Sequence, residues 1–149
     1  MDNKAVKILI RMARILLPLG ALVLSLLHGS YQMPVKETAE STEIMYRIAT
    51  NYLDLRVFDS GNWCPLLCTL LLGATVVTAI VCLFKETENS LVTLATFASL
   101  ALVACLGNLV FIFELTWQGW SIVMIQIILI TVTAVQEIRM ENARKGIKF

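Results

Sequence analysis

Residues 61–90, GNWCPLLCTLLLGATVVTAIVCLFKETENS, contain an uninterrupted apolar run that decides the fold class. No charge occurs between residues 65 and 84, and two further runs, 90–113 and 115–136, are also free of charge. Each run reaches the roughly 20 residues that a helix needs to cross a bilayer core of about 30 Å. The backbone of such a segment must be helical in lipid, because no water is there to satisfy its polar groups. The sequence therefore predicts membrane-spanning helices at about 65–84, 90–113 and 117–136.

The composition excludes several other classes of protein. Of the 149 residues, 58% are hydrophobic and only 15% are charged, whereas soluble domains have about a quarter of their residues charged. The net charge of +1 gives no electrostatic basis for binding nucleic acid. Four cysteines and one histidine are too few and too scattered for a metal framework. We therefore expect no cofactor and no metal.

A first helix is predicted at about residues 12–33. Its strongly apolar part, residues 15–27, follows Arg11 and Arg14, whose long side chains would snorkel to the headgroups. A basic start before a short apolar stretch is also typical of a cleaved signal peptide. The following LLHGSYQM offers no good small-x-small cleavage site, which favours a retained helix.

The basic residues predict the orientation of the chain. Nine of the 12 lysines and arginines fall in residues 1–14, at Lys85, or in residues 137–149. Positive charge stays in the cytoplasm, so we expect both ends, 1–11 and 137–149, to be cytoplasmic, in a cell (plasma) membrane. The tryptophans at positions 63, 117 and 120 fall at the opposite, external boundary, where this residue type is enriched.

The external loop, residues 34–63, is predicted to contain an amphipathic helix over about residues 40–58. Ile44, Ile48, Tyr52 and Leu55 are spaced to form one helical stripe. This stripe is a candidate partner-binding face; it would otherwise cap the helix bundle or lie on the membrane surface.

Cys64 and Cys68 raise the question of thiol chemistry. A redox pair is normally C-x-x-C at the start of a helix, whereas these cysteines have three residues between them. Cys68 also lies inside the apolar run, and the other cysteines, Cys82 and Cys105, belong to separate predicted helices. Packing as small hydrophobic residues is the interpretation we favour over an oxidoreductase site.

Few polar residues occur within the predicted spans. Asn108 and Gln126 fall at similar depth on the two helices that the short ELTWQG turn connects. Because polar groups in lipid are costly unless paired, we expect these amides to share a hydrogen bond between the helices.

The expected architecture is a single domain, residues 1–149: an all-α integral membrane protein with four spanning helices in an up-down-up-down bundle and one external amphipathic helix. The four-span plan with a larger first external loop resembles that of claudin- and tetraspanin-like proteins. The cysteine pairs that mark their loops are missing here, so the resemblance implies no residue roles. The leading hypothesis is a non-enzymatic accessory or scaffolding subunit that contacts the lipid bilayer and binds another membrane protein or itself. A small oligomeric transporter or channel is the alternative, and a thiol oxidoreductase using Cys64 and Cys68 comes third.

Overall fold

The computed structural model describes residues 3–39, 42–54, 61–111 and 114–145. These residues contain helices α1 (Asn3–Leu26), α2 (Cys64–Phe84), α3 (Glu88–Gly107) and α4 (Trp117–Arg144). They also contain strands β1 (Tyr31–Ala39), β2 (Thr42–Thr50) and β3 (Glu114–Leu115), and a short 3-10 helix, Asn108–Phe111, that follows α3.

All four described helices are long and apolar enough to cross a membrane. Only 22–33% of each apolar segment is buried inside the protein, so most of its large hydrophobic side chains face outward. The apolar runs therefore identified the helices correctly, and the surface of the helices is compatible with an integral membrane protein.

The helix boundaries differ from those predicted, most of all in α1. This helix ends at Leu26 and not at residue 33, because the chain turns and Tyr31 begins β1. Helix α4 continues to Arg144, well beyond its apolar part, with an ion pair between Lys145 and Glu141 at its end. Helix α3 begins with a capping box, in which the side chains of Thr87 and Ser90 accept from each other's backbone N–H groups.

The helices pack in chain order around a common interior. Helix α1 packs on α2, α2 on α3, α3 on α4, and α4 returns to α1. The larger buried cluster lies near the sheet and includes Cys68, Leu72, Ala101, Cys105 and Ile122. A smaller cluster at the other end joins α2 and α3 through Ala79, Cys82, Leu91 and Leu94.

A three-stranded antiparallel sheet in the order β2–β1–β3 stands where the external helix was expected. Strands β1 and β2 pair along their whole length, from Tyr31 opposite Thr50 to Ala39 opposite Thr42. The predicted helix is therefore wrong over Thr42–Thr50. Its stripe was ambiguous, because spacings of four and eight residues share a face in a strand as well as in a helix.

The sheet is tied to the helices by its shortest strand. Strand β3 pairs with the start of β1, and the Thr116 hydroxyl lies 2.5 Å from the carbonyl oxygen of Gly29. Gly119 permits this approach: a Cβ atom there would lie 2.7 Å from the carbonyl oxygen of Ser30. The end of the helices that carries the sheet is called the sheet end below, and the opposite end is called the charged end.

Candidate functional site

The interior of the sheet end contains a group of polar and sulfur-bearing side chains. Its members are buried and contact one another; we call them the sheet-end cluster, and they are Tyr52, Asn62, Cys68, Cys105 and Asn108.

Tyr52 lies two residues beyond β2, and its side chain is only 1% exposed. Its backbone N–H donates to the carbonyl oxygen of Ser25 near the end of α1, at 3.1 Å. The phenol crosses the interior, and its oxygen lies 3.1 Å from Sγ of Cys105 on α3. Tyr52 therefore joins the loop after the sheet to α1 and α3 and occupies the interior of the sheet end.

Asn62 and Asn108 are joined by a buried hydrogen bond. Nδ2 of Asn62 donates to Oδ1 of Asn108 at 3.1 Å, and both side chains are fully buried. Oδ1 of Asn62 accepts from the backbone N–H of Cys64 at the start of α2, and Nδ2 of Asn108 donates to the carbonyl oxygen of Cys105. The pair thus connects the beginning of α2 to the end of α3.

The predicted hydrogen bond between Asn108 and Gln126 is wrong. Both residues are fully buried, but Asn108 bonds to Asn62, which sequence reasoning did not single out. Neither Nε2 nor Oε1 of Gln126 has a hydrogen-bond partner among the described residues. Whether two amides on neighbouring helices pair depends on helix rotation, which one sequence does not fix.

The cysteines are arranged differently from what the C-x-x-x-C spacing suggested. The thiols of Cys68 and Cys105 are in hydrogen-bonding contact, and Sγ of Cys68 lies 3.5 Å from the carbonyl oxygen of Ala101. Cys64 is only partly buried, and its sulfur lies against Gly107. Cys105, set aside in the sequence as an isolated residue, is thus the neighbour of Cys68.

The residues of the candidate partner-binding face lie in different parts of the chain's structure. Ile44 and Ile48 belong to β2, so they do not form part of a helical stripe. Tyr52 faces the protein interior, so it is unsuited to contact a partner directly. Leu55 lies outside the described residues. Whether Ile44 and Ile48 contact a partner remains a prediction.

At the charged end, two arginines of α1 bind one glutamate. Arg14 Nη2 donates to Glu86 at 2.7 Å, and Arg11 Nη2 donates to the same carboxylate at 2.9 Å. The side chain of Arg14 is 3% exposed, and its Nε and Nη1 groups have no hydrogen-bond partner among the described residues. Arg14 was expected to snorkel to headgroups; it instead binds the connection between α2 and α3.

Partial burial raises the pKa of Glu86, but the hydrogen bonds and charges of Arg11 and Arg14 lower it by more. The pKa of this carboxyl therefore lies below its ordinary value, and Glu86 is ionised near neutral pH. A second, exposed ion pair at the same end joins Arg144 of α4 to Glu88 at 3.5 Å.

In the described part of the chain, no three His, Cys, Asp or Glu side chains are grouped closely enough to hold a metal ion. The fold is thus that of a chain with four helices of membrane-spanning length around a buried polar cluster, with a small sheet over one end. No family of known proteins matches the sequence, and a comparison with curated proteins gives no significant match.

Proposed function

We propose that this chain is a membrane-spanning accessory or scaffolding subunit that binds another membrane protein through the outward faces of its helices. Its four helices cross the membrane in up-down-up-down order, with both termini and the charged end in the cytoplasm and the sheet outside. The proposal is non-enzymatic.

The proposal rests on a contrast between the interior of the sheet end and the outer sides of the helices. The interior of the sheet end is occupied by the mutually bonded groups of the sheet-end cluster, whereas the helix sides expose large aliphatic residues. Helix α1 has the smallest buried share, 22% of its apolar segment. Six exposed residues form a row along α1, at alternating spacings of three and four residues: Leu9, Met12, Leu16, Leu19, Val23 and Leu26. Such a row presents one continuous packing surface to a second helix.

The threading is tested by cysteine labelling. Single cysteines replace Gln118, Lys85 or Lys145 in a chain whose four native cysteines are changed to serine. We expect an impermeant maleimide added to intact cells to label position 118, and to label positions 85 and 145 only after the membrane is opened. Labelling of position 85 from outside would contradict the four-span arrangement.

The binding role is tested by site-specific photocrosslinking in the native membrane. A photoreactive amino acid at Leu16 or Leu19 should crosslink to the same membrane protein, identified by mass spectrometry. Val103 on α3 is the matched control, since it is 67% exposed but lies outside the row. The binding proposal fails if the two α1 positions yield lipid adducts alone, or if Val103 yields the same protein with equal efficiency.

A specific observation favours a transporter as the second candidate. Gln126 is fully buried, yet neither polar atom of its amide has a hydrogen-bond partner among the described residues, an arrangement that costs free energy. A polar solute passing through the interior would bind such a group. A solute flux into proteoliposomes that is lost with Gln126→Leu and kept with Gln118→Leu would support transport over scaffolding.

A further inference from the structure

Two of the four cysteines face each other across the interface between α2 and α3. Cys68 lies in the second turn of α2 and Cys105 in the last turn of α3, and both are fully buried. The Cys68 thiol donates to the carbonyl oxygen of Ala101, one turn before Cys105 on α3, and it also contacts the Cys105 thiol. The hydroxyl oxygen of Tyr52 lies 3.1 Å from the Cys105 sulfur.

From this geometry we propose that Cys68 and Cys105 are an oxidisable pair that forms a disulfide between α2 and α3. Both side chains lie in one buried cluster, where Sγ of Cys68 is 3.5 Å from the carbonyl oxygen of Ala101, one turn before Cys105 on α3. Cys82 provides an internal contrast: its thiol donates to the carbonyl oxygen of Ser90 and lies in the separate buried cluster near the charged end.

A small peroxide is an oxidant that completes the reaction. One thiol attacks the peroxide oxygen, the O–O bond breaks, and the products are a cysteine sulfenic acid and one molecule of water or alcohol. The second thiol then attacks the sulfenic sulfur, which forms the S–S bond and releases water. The two thiols together give up two electrons and two protons, and the peroxide accepts them.

The disulfide would connect α2 to α3 next to Tyr52. It would close a loop that includes the whole α2–α3 connection, and closing a loop of that size restricts the unfolded chain. The oxidised protein should therefore unfold at a higher temperature than the reduced one. The reaction requires only the packed fold and no partner, so its outcome is independent of the scaffolding role.

The test uses the full chain, purified under reducing conditions in detergent. After removal of the reductant, the protein is treated with hydrogen peroxide, remaining thiols are blocked with N-ethylmaleimide, and linked peptides are identified by mass spectrometry. We expect a Cys68–Cys105 link in the native chain and in the Cys82→Ser and Cys64→Ser variants. Neither Cys68→Ser nor Cys105→Ser should form an internal link, and only chains that form one should gain melting temperature on oxidation and lose it on reduction.

Two results would overturn the proposal. One is that Cys68 and Cys105 both still react with maleimide when the peroxide-treated protein is afterwards unfolded. The peroxide concentration in this test is one that oxidises both cysteines in the denatured chain. The other is that Cys68 links to Cys64, which would return the pair to the C-x-x-x-C arrangement. Both results are read from the native chain, so they do not depend on whether a variant folds.

Discussion

The two ends of the helices are held together by different kinds of interaction. At the sheet end, neutral groups bond to one another: Tyr52 to Cys105, and Asn62 to Asn108. At the charged end, the guanidinium groups of Arg11 and Arg14 share the carboxylate of Glu86. The pairs of Arg11 and Arg14 join α1 to the connection between α2 and α3 and depend on ionisation. The two buried pairs at the sheet end do not, although an exposed ion pair between Arg47 and Glu114 also lies at that end.

This difference determines how each end responds to substitution. Removing a member of a neutral pair leaves one unpaired polar group, which costs about 1–3 kcal/mol when it is buried. Removing the partner of a buried charge costs about 3–5 kcal/mol, because the remaining charge has no compensation. A large aromatic side chain that fills space adds a third kind of cost, since its removal leaves a cavity.

The largest effect is expected for Tyr52→Ala. It removes a fully packed aromatic ring and should lower the free energy of unfolding by about 4 kcal/mol, as measured by denaturation in detergent. Tyr52→Phe is the control: it keeps the ring and should cost about 1 kcal/mol. Equal losses for the two variants would show that the hydroxyl, and not the packing, holds this end.

Glu86→Gln tests the charged end. Because it leaves the buried Arg14 without a counter-charge, it should lower the free energy of unfolding by about 3 kcal/mol. Glu88→Gln disrupts the exposed pair with Arg144 and should change stability by less than about 1 kcal/mol. A loss for Glu88→Gln as large as that for Glu86→Gln would remove the distinction between the buried and the exposed pair.

Gly119→Ala tests how closely α4 approaches the sheet end. The added methyl group would meet the carbonyl oxygen of Ser30 at 2.7 Å, so the backbone must shift, at a cost of about 2 kcal/mol. Gly73→Ala is the matched control, since nothing lies within 4 Å of a Cβ atom at that position in α2. We expect it to be neutral or to stabilise the protein by up to about 1 kcal/mol.

Asn108 and Gln126 should respond in opposite directions to leucine. Asn108→Leu leaves Nδ2 of Asn62 without its acceptor and should cost about 1–2 kcal/mol. Gln126→Leu removes an amide that has no partner in the described structure, and it should be neutral or raise the unfolding free energy by about 1 kcal/mol. Destabilisation by Gln126→Leu would mean that this amide forms interactions within the native protein.

The smallest effect is expected from acidification. The folded-state pKa of Glu86 is lowered, so the stabilisation it provides is complete above the unfolded value of about 4.3 and is lost as pH falls through the folded value. The difference in melting temperature between the native chain and Glu86→Gln should therefore narrow below about pH 4. Asn108→Leu should instead remain less stable than the native chain by a nearly constant amount.

The helices could be predicted from the sequence because about twenty successive apolar residues are compatible with few other structures. The sheet could not be predicted from the same pattern, since Ile44, Ile48 and Tyr52 lie four residues apart and satisfy both helical and strand periodicity. Only Leu55, eleven residues after Ile44, favoured the helix alone. Alternation along residues 44–50, where Ile, Tyr, Ile and Thr occupy every second position, was the signal that could have indicated a strand.

The candidate site could be predicted only in part, because burial follows from the sequence but contacts between helices do not. Burial of Asn108 and Gln126 followed from their places in apolar helices, but their partners depend on how each helix is rotated about its axis. The contacts of Cys68 with Cys105 and of Tyr52 with α3 join positions that are 37 or more residues apart in sequence. Such contacts are set by packing between elements, which a single sequence does not record.

The pairing of β1 with β3 has a consequence for biosynthesis. Thr116 lies 87 residues beyond its hydrogen-bond partner Gly29. At translation rates of 5–20 residues per second, roughly 4–17 seconds pass between the synthesis of the two. During that interval α2 and α3 are synthesised, while the edge of β1 that β3 will cover has no partner from its own chain. The last loop therefore closes the fold, and a nascent chain stopped before residue 114 would expose that edge to any insertion factor or chaperone nearby.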